Sequence, residues 1–169
     1  RTCGVYKLKV DALTIQTPIG AMLAMANEDG IYSLDFTDDD KLKSSKNKLL
    51  LQLKSELDEY FALTRREFSI PLAPAGTPFQ MSVWHTLQKI PYGATVSYAA
   101  EAQMLGRASA VRAVASANGR NPISILIPCH RVVSTGGQMR GYSGWGGIRT
   151  KTWLLQLEGQ QLISEEMDY

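Results

Sequence analysis

Cys129 and His130 stand side by side in a chain that holds only two cysteines and two histidines, and adjacent thiol and imidazole groups are the raw material of nucleophilic chemistry. A free thiol has a pKa of about 8.5 and is mostly protonated at neutral pH, so it needs a base or a positive field before it attacks. His130 is the base that the sequence offers. Ile123, Ile125 and Ile127 alternate toward Pro128 and predict a buried strand that delivers both groups to one spot. Neighbouring side chains on a regular strand point to opposite faces. Contact between thiol and imidazole then needs either a bend, which Pro128 favours, or a bridging water, and both geometries suit general base catalysis. A Cys beside a His does not by itself separate a nucleophile from an inert buried thiol. Cys3 and His85 add none of the paired spacings of a zinc site, so no metal or other cofactor is expected. Two free thiols are expected rather than a Cys3–Cys129 disulfide.

The elements that must position this pair are legible from periodicity. Leu13 and Ile15, then Tyr32, Leu34 and Phe36, alternate with polar neighbours around a turn at residues 27–30, which predicts an antiparallel sheet over residues 13–36. The charged run from Asp38 to Lys48 reads as a solvated loop. From about Ser45 to Leu63, Leu50, Leu53, Leu57, Tyr60 and Phe61 recur at helical spacing, an apolar stripe that covers the sheet as core. Residues 69–76, with Pro71, Pro74 and Gly76, read as a linker, so the expected domains are 1–74 and 75–169.

Thr77, Pro78 and Gln80 then make a capping box with proline at the first helical position. Phe79, Val83, Leu87 and Ile90 give the buried face, Pro91 the end, and His85 falls on the solvent side. Ser97 caps a short helix through Leu105, Gly106 turns the chain, and a second helix is expected from about Ser109 to Ala117, together a helix-turn-helix. That second helix carries only small residues apart from Arg112. It can approach DNA closely yet offers few of the polar side chains that read a major groove.

Composition bounds these readings. A chain with 44% hydrophobic and 20% charged residues has the make-up of one or two globular domains. A net charge of +2 is too small to argue for nucleic acid, so any DNA affinity must come from local placement. No apolar run approaches the roughly 18 residues of a membrane span, and the start RTCGVYKLKV lacks the form of a signal peptide. A soluble intracellular protein is expected, cytoplasmic or nuclear according to the cell type. Arg1 in place of an initiator Met suggests a piece of a longer chain.

Pro128, Cys129, His130, Arg131 and Val132 form the PCHRV signature, set within NPISILIPCHRVV. TPFQMSVW, IPYGATVSY, AVRAVASANGRNP, GYSGW and KTWLLQLEG accompany it in order. In these motifs residues 77–159 resemble the O6-alkylguanine-DNA alkyltransferase family, whereas the amino-terminal part is similar only in size and in its strand-then-helix order. The resemblance implies an α/β ribonuclease H-like first domain, an antiparallel sheet plus helix, and a mainly α, winged-helix-like second domain that carries the helix-turn-helix.

It implies further that Cys129 accepts the alkyl group, that His130 deprotonates it through a water, that Glu158 orients His130, and that Asn121 ties the helix-turn-helix to the active-site segment. Tyr98, Tyr142 and Ser143 would contact the damaged base. Arg112 would fill the hole left by a flipped nucleotide, with Ala113 and Ser116 beside it on the DNA. The implied activity is direct-reversal repair: one irreversible transfer from O6-alkylguanine, and from O4-alkylthymine, by a monomer on double-stranded DNA. Cys129 argues against a non-catalytic relative, the small-residue helix against a transcription factor, and the thioether product against a hydrolase that turns over.

Overall fold

The computed structural model describes residues 11–136 and 147–159. Cys3 and the Gly-rich stretch containing Tyr142 and Ser143 lie outside them. β1 (Asp11–Thr17), β2 (Gly20–Asn27) and β3 (Gly30–Phe36) form an antiparallel sheet in the order β1-β2-β3. Period-two alternation puts Leu13, Ile15, Met22 and Ala24 in the core, whereas β3, paired across a register shift at Met25/Ala26, buries Ile31 and Leu34, three residues apart, in place of the expected Tyr32. Asn27 Oδ1 accepts from the amides of Asp29 and Gly30 and closes the β2–β3 turn.

Helix α1 (Lys48–Phe61) packs on this sheet through fully buried Leu50, Leu53, Leu57 and Tyr60. It begins later than the stripe suggests because Asn47, not Ser45, caps it, accepting from Leu49 and Leu50 N–H. It stops before Leu63, which takes a left-handed φ of 65°.

The free edge of β3 is closed by two later segments. Ile31 N–H donates to Pro71 O and Ile31 O accepts from Ala73; Leu34 N–H donates to Pro122 O and Leu34 O accepts from Ser124. The proline-rich stretch read as a linker is therefore pinned to the sheet, and it shields an edge that would otherwise be open to pairing. Gly30 permits the approach, since a Cβ there would stand 2.5 Å from Pro71 O.

The second half is mainly helical. α2 (Pro78–Leu87) starts at the expected capping box, buries Val83, Trp84 and Leu87, and leaves His85 exposed. Trp84 Nε1 donates to Ala117 O, which fixes α2 against the helix that follows the turn. β4 (Val96–Ser97) leads into α3 (Tyr98–Met104), with Ser97 as N-cap. Gly106, at φ 78°, makes the turn to α4 (Val111–Gly119). α4 begins two residues later than expected: Ala108 and Ser109 belong to the turn that Ala110 N–H closes onto Arg107 O. After a single 3₁₀ turn (Cys129–Arg131), β5 (Val132–Val133) pairs in parallel with β4. α5 (Ile148–Leu157) ends at Glu158. Among the described residues no helix is long and apolar enough to cross a membrane.

The strand expected at Ile123–Ile127 is not there. Only Ile123 bridges to the sheet, through Leu34. The chain then coils on itself: Leu126 N–H bonds to Ser124 O, Ile127 N–H to Ile123 O, and Ile125 sits at φ 73°. Ile123, Ile125, Leu126 and Ile127 are all at most 7% exposed, so burial on every side produced the same apolar run that a strand would. Pro122 and Pro128 bracket the coil and withhold the N–H groups that a ladder needs.

Candidate active site

The coil ends in the bend that the neighbouring Cys129 and His130 require. Cys129 N–H bonds to Ile127 O and Arg131 N–H to Pro128 O, so the two side chains leave a tight 3₁₀ turn rather than opposite faces of a strand. Asn121, just after α4, holds the turn. Its Nδ2 donates to Ile127 O at 2.7 Å and to Cys129 Sγ at 3.2 Å, while its Oδ1 accepts from Ile123 N–H. Asn121 thus does more than tie the helix-turn-helix to the active-site segment, because its amide touches the thiol itself.

His130 is fully buried, and its Nε2 lies 2.8 Å from Glu158 Oε2. An ionised carboxylate can only accept, so Nε2 carries the proton and Nδ1 presents a lone pair. That Nδ1 is buried and has no partner among the described residues. Glu158 is not the plain helix-end charge its position suggests. Its oxygens also accept from Arg131 Nε at 2.8 Å, Arg131 Nη2 at 3.1 Å and the Tyr60 hydroxyl at 2.6 Å. Burial alone would raise its pKa, but the His130 and Arg131 donors prevail and hold the carboxyl at about 2. Arg131 spends its remaining arm on Ile90 O and stacks over Tyr92.

The Cys129 thiol and the His130 ring are both driven toward their neutral forms. Burial pushes the Cys129 thiol up; the Asn121 amide and the Lys151 ammonium pull it back, and Glu101 opposes them. Burial pushes His130 down against the pull of Glu158. Lys151, fully buried on α5, has its pKa lowered to about 8 by desolvation. Its Nζ sits 5.7 Å from the centre of the Tyr98 ring and 3.5 Å from the Tyr98 hydroxyl. Tyr98, the first residue of α3, is therefore brought to the same site.

Residues 78–160 match the family described as "6-O-methylguanine DNA methyltransferase, DNA binding domain", and residues 12–74 match its "ribonuclease-like domain". The chain belongs to the 6-O-methylguanine DNA methyltransferase family. The activity class of that family is methyl transfer from alkylated DNA to a protein cysteine. The methylated-DNA–protein-cysteine methyltransferase of Methanosarcina barkeri is 41% identical over 88% of this chain and 96% of its own length. The constitutive enzyme of that name from Bacillus subtilis is 40% identical over 86% and 93%. The fold matches the crystal structure of Mycobacterium tuberculosis O6-methylguanine methyltransferase with a TM-score of 0.79, at 35% identity, over 94% of this chain and 99% of that one. A structure of the M. tuberculosis protein in complex with DNA matches at 0.78, also at 35% identity, over 93% and 98%.

Within this methyltransferase fold, Cys129, His130, Glu158, Asn121 and Tyr98 converge. Arg112, Ala113 and Ser116 lie together on the exposed face of α4, and Arg112 makes no ion pair with any described residue. Tyr142 and Ser143 lie outside the described residues.

Sequence reasoning missed four members of the site. Tyr60 was absorbed into an apolar stripe. Arg131 stood unread inside PCHRV, although it follows His130 directly. Lys151 lies seven residues before Glu158, two helical turns, and that spacing was the available signal. Glu101 on α3 is fully buried, and its Oε1 accepts from Asn118 Nδ2 of α4 at 2.7 Å. Burial raises the Glu101 carboxyl to about 7. Nothing in the spacing marked it.

Proposed function

We propose that this methyltransferase repairs O6-alkylguanine, and O4-alkylthymine, in double-stranded DNA by moving the alkyl group onto Cys129, once per molecule and irreversibly. The observation that carries this reading is the order of donors along Glu158, His130 and the thiol. Because Glu158 accepts the hydrogen bond from Nε2–H, the Nδ1 lone pair of His130 is left to accept the Cys129 proton through a water. The thiolate then forms an S–C bond to the alkyl carbon as the C–O6 bond breaks. The electron pair passes to O6, guanine regains a proton, and the product is a thioether. No carbonyl remains for water to attack, so turnover stops after one transfer. The Asn121 amide and the Lys151 ammonium stabilise the thiolate while it exists.

A base stacked in a duplex cannot reach this thiol, so the damaged nucleotide is extruded through the minor groove at a cost of a few kcal/mol. The exposed α4 face, small except for Arg112, suits that approach: Ala113 and Ser116 let the backbone come close and Arg112 fills the gap. Tyr98, beside Lys151, is placed to contact the flipped base, and Tyr142 and Ser143 complete its pocket in this reading. We assign residues 1–74 and 75–169 as its two domains and an intracellular monomer as its working form. Incubation with a duplex containing O6-methylguanine, followed by intact mass and peptide mapping, should find one methyl per chain, on the Cys129 peptide. Several equivalents consumed per chain, or methyl on Cys3, overturns the reading.

A further inference from the structure

Glu158 Oε2 is shared by three donors, and one of them comes from the other half of the chain. Tyr60, in the last turn of α1 and 98 residues away in sequence, donates its hydroxyl at 2.6 Å to the oxygen that also holds His130 Nε2 at 2.8 Å. The ring has little freedom. It is fully buried and packs edge-on against Phe61 and Tyr92, centroids 5.2 Å and 6.2 Å away, and against Phe68 at 5.5 Å. A hydroxyl this buried, bonded to a carboxylate, stays protonated and remains a donor at all working pH.

We propose that Tyr60 is a positioning residue for alkyl transfer, its hydroxyl competing with His130 for one Glu158 oxygen so that the sheet-and-helix unit sets how strongly the carboxylate holds the proton acceptor. The proposal rests on the assignment of His130 as that acceptor. A carboxylate oxygen that already receives a short hydrogen bond has less negative charge to offer a second donor. Tyr60 therefore restrains the basicity of His130, and its loss should release it. The other groups that act on His130 are Glu158 and Lys151 on α5, and Arg131 beside it. Tyr92 faces Glu158 as well, but its hydroxyl bonds to Leu157 O.

The chain's two histidines make the test direct, because exposed His85 serves as an internal reference in histidine-ring NMR spectra. Tyr60→Phe keeps the ring packing and leaves Oε2 with two donors. The His130 midpoint should rise by about one pH unit, the scale on which a single local partner moves a titrating group. The acid side of the pH profile of single-turnover methyl transfer should move to higher pH with it, because His130 can accept the thiol proton only while its ring is neutral. Tyr92→Phe, which removes a hydroxyl from the same aromatic cluster, should leave the His130 midpoint in place. Should Tyr60→Phe fail to fold, 3-fluorotyrosine at position 60 is a stronger donor and should lower the midpoint. An unmoved or oppositely moved His130 midpoint overturns the proposal, yet leaves methyl transfer to Cys129 standing. Absence of methyl on Cys129 in the unmodified protein is the separate failure of the functional reading.

Discussion

Replacing Glu101 with Gln should stabilise the protein above neutral pH and leave it unchanged in acid. The carboxyl is fully buried between α3 and α4. Its Oε2 and the Asn118 Oδ1 have no partner among the described residues, an arrangement that suits a protonated acid with a hydrogen to offer. Burial raises its pKa from 4.5 to about 7, with the Asn118 bond opposing. A raised carboxyl pKa means that the folded protein keeps a proton that the unfolded chain releases. The favourable protonated state is fully available below pH 4.5, and stability declines as pH rises through 4.5 to 7. At 1.36 kcal/mol per unit, the shift of 2.5 units (7 minus 4.5) is worth about 3 kcal/mol. Gln is uncharged at every pH, can accept from Asn118 Nδ2, and can donate to its Oδ1. Urea denaturation of both proteins between pH 4 and pH 8.5 isolates the difference, since other titrating groups cancel. The two curves should meet near pH 4 and diverge to about 3 kcal/mol in favour of Glu101→Gln by pH 8. A difference that does not change with pH, or a variant less stable at pH 8, refutes the claim that Glu101 is a suppressed charge.

Glu158→Gln tests the opposite kind of buried carboxyl. The structure sets an amide NH₂ among the donors of Arg131, His130 and Tyr60, so a loss of about 3–5 kcal/mol is expected in thermal or urea unfolding. Glu158 is depressed from 4.5 to about 2, so its contribution is present above pH 4.5 and lost as pH falls toward 2. The variant's unfolding free energy should be flat over that window where the parent's falls, and a parallel acid dependence would count against the assignment. Arg112→Ala, on an exposed face, should leave stability within about 0.5 kcal/mol while slowing repair of duplex DNA by about tenfold or more, the effect of one lost contribution to base extrusion. Free O6-benzylguanine, which needs no extrusion, should react at an unchanged rate; equal losses on both substrates would remove Arg112 from that role.

How much of this was legible follows from the range of each interaction. The Thr77–Gln80 capping box, the Ser97 cap, the Gly106 turn and the Leu50–Tyr60 stripe are set by neighbours within a helical turn, and the chain displays them openly. Ile123, Ile125 and Ile127 misled because alternation marks a strand only when one face is wet, and here every residue from Ile123 to Pro128 is buried. Tyr60 was illegible for another reason. A tyrosine on an apolar stripe buries the same ring whether its hydroxyl is idle or, as here, bonded to a carboxylate 98 residues away. The PCHRV motif drew attention to Cys129 and His130, but not to the groups that bear on their protonation.

Those groups divide into two kinds of buried charge. Glu158 accepts four hydrogen bonds from three residues and is ionised, so it can orient His130 without taking up the thiol proton itself. Glu101 has one bond and keeps its proton below about pH 7. An ionised Glu101 would oppose formation of the Cys129 thiolate, whereas a neutral one leaves Lys151 and Asn121 to favour it. α3 supplies that carboxyl and α4 the Asn118 amide bonded to it, and Asn118 O in turn accepts from the backbone N–H of Asn121, the residue that touches the thiol. Any movement of the helix-turn-helix that wets Glu101 would ionise it and oppose thiolate formation, so a closely packed α3–α4 pair is a condition for reactivity as well as for shape.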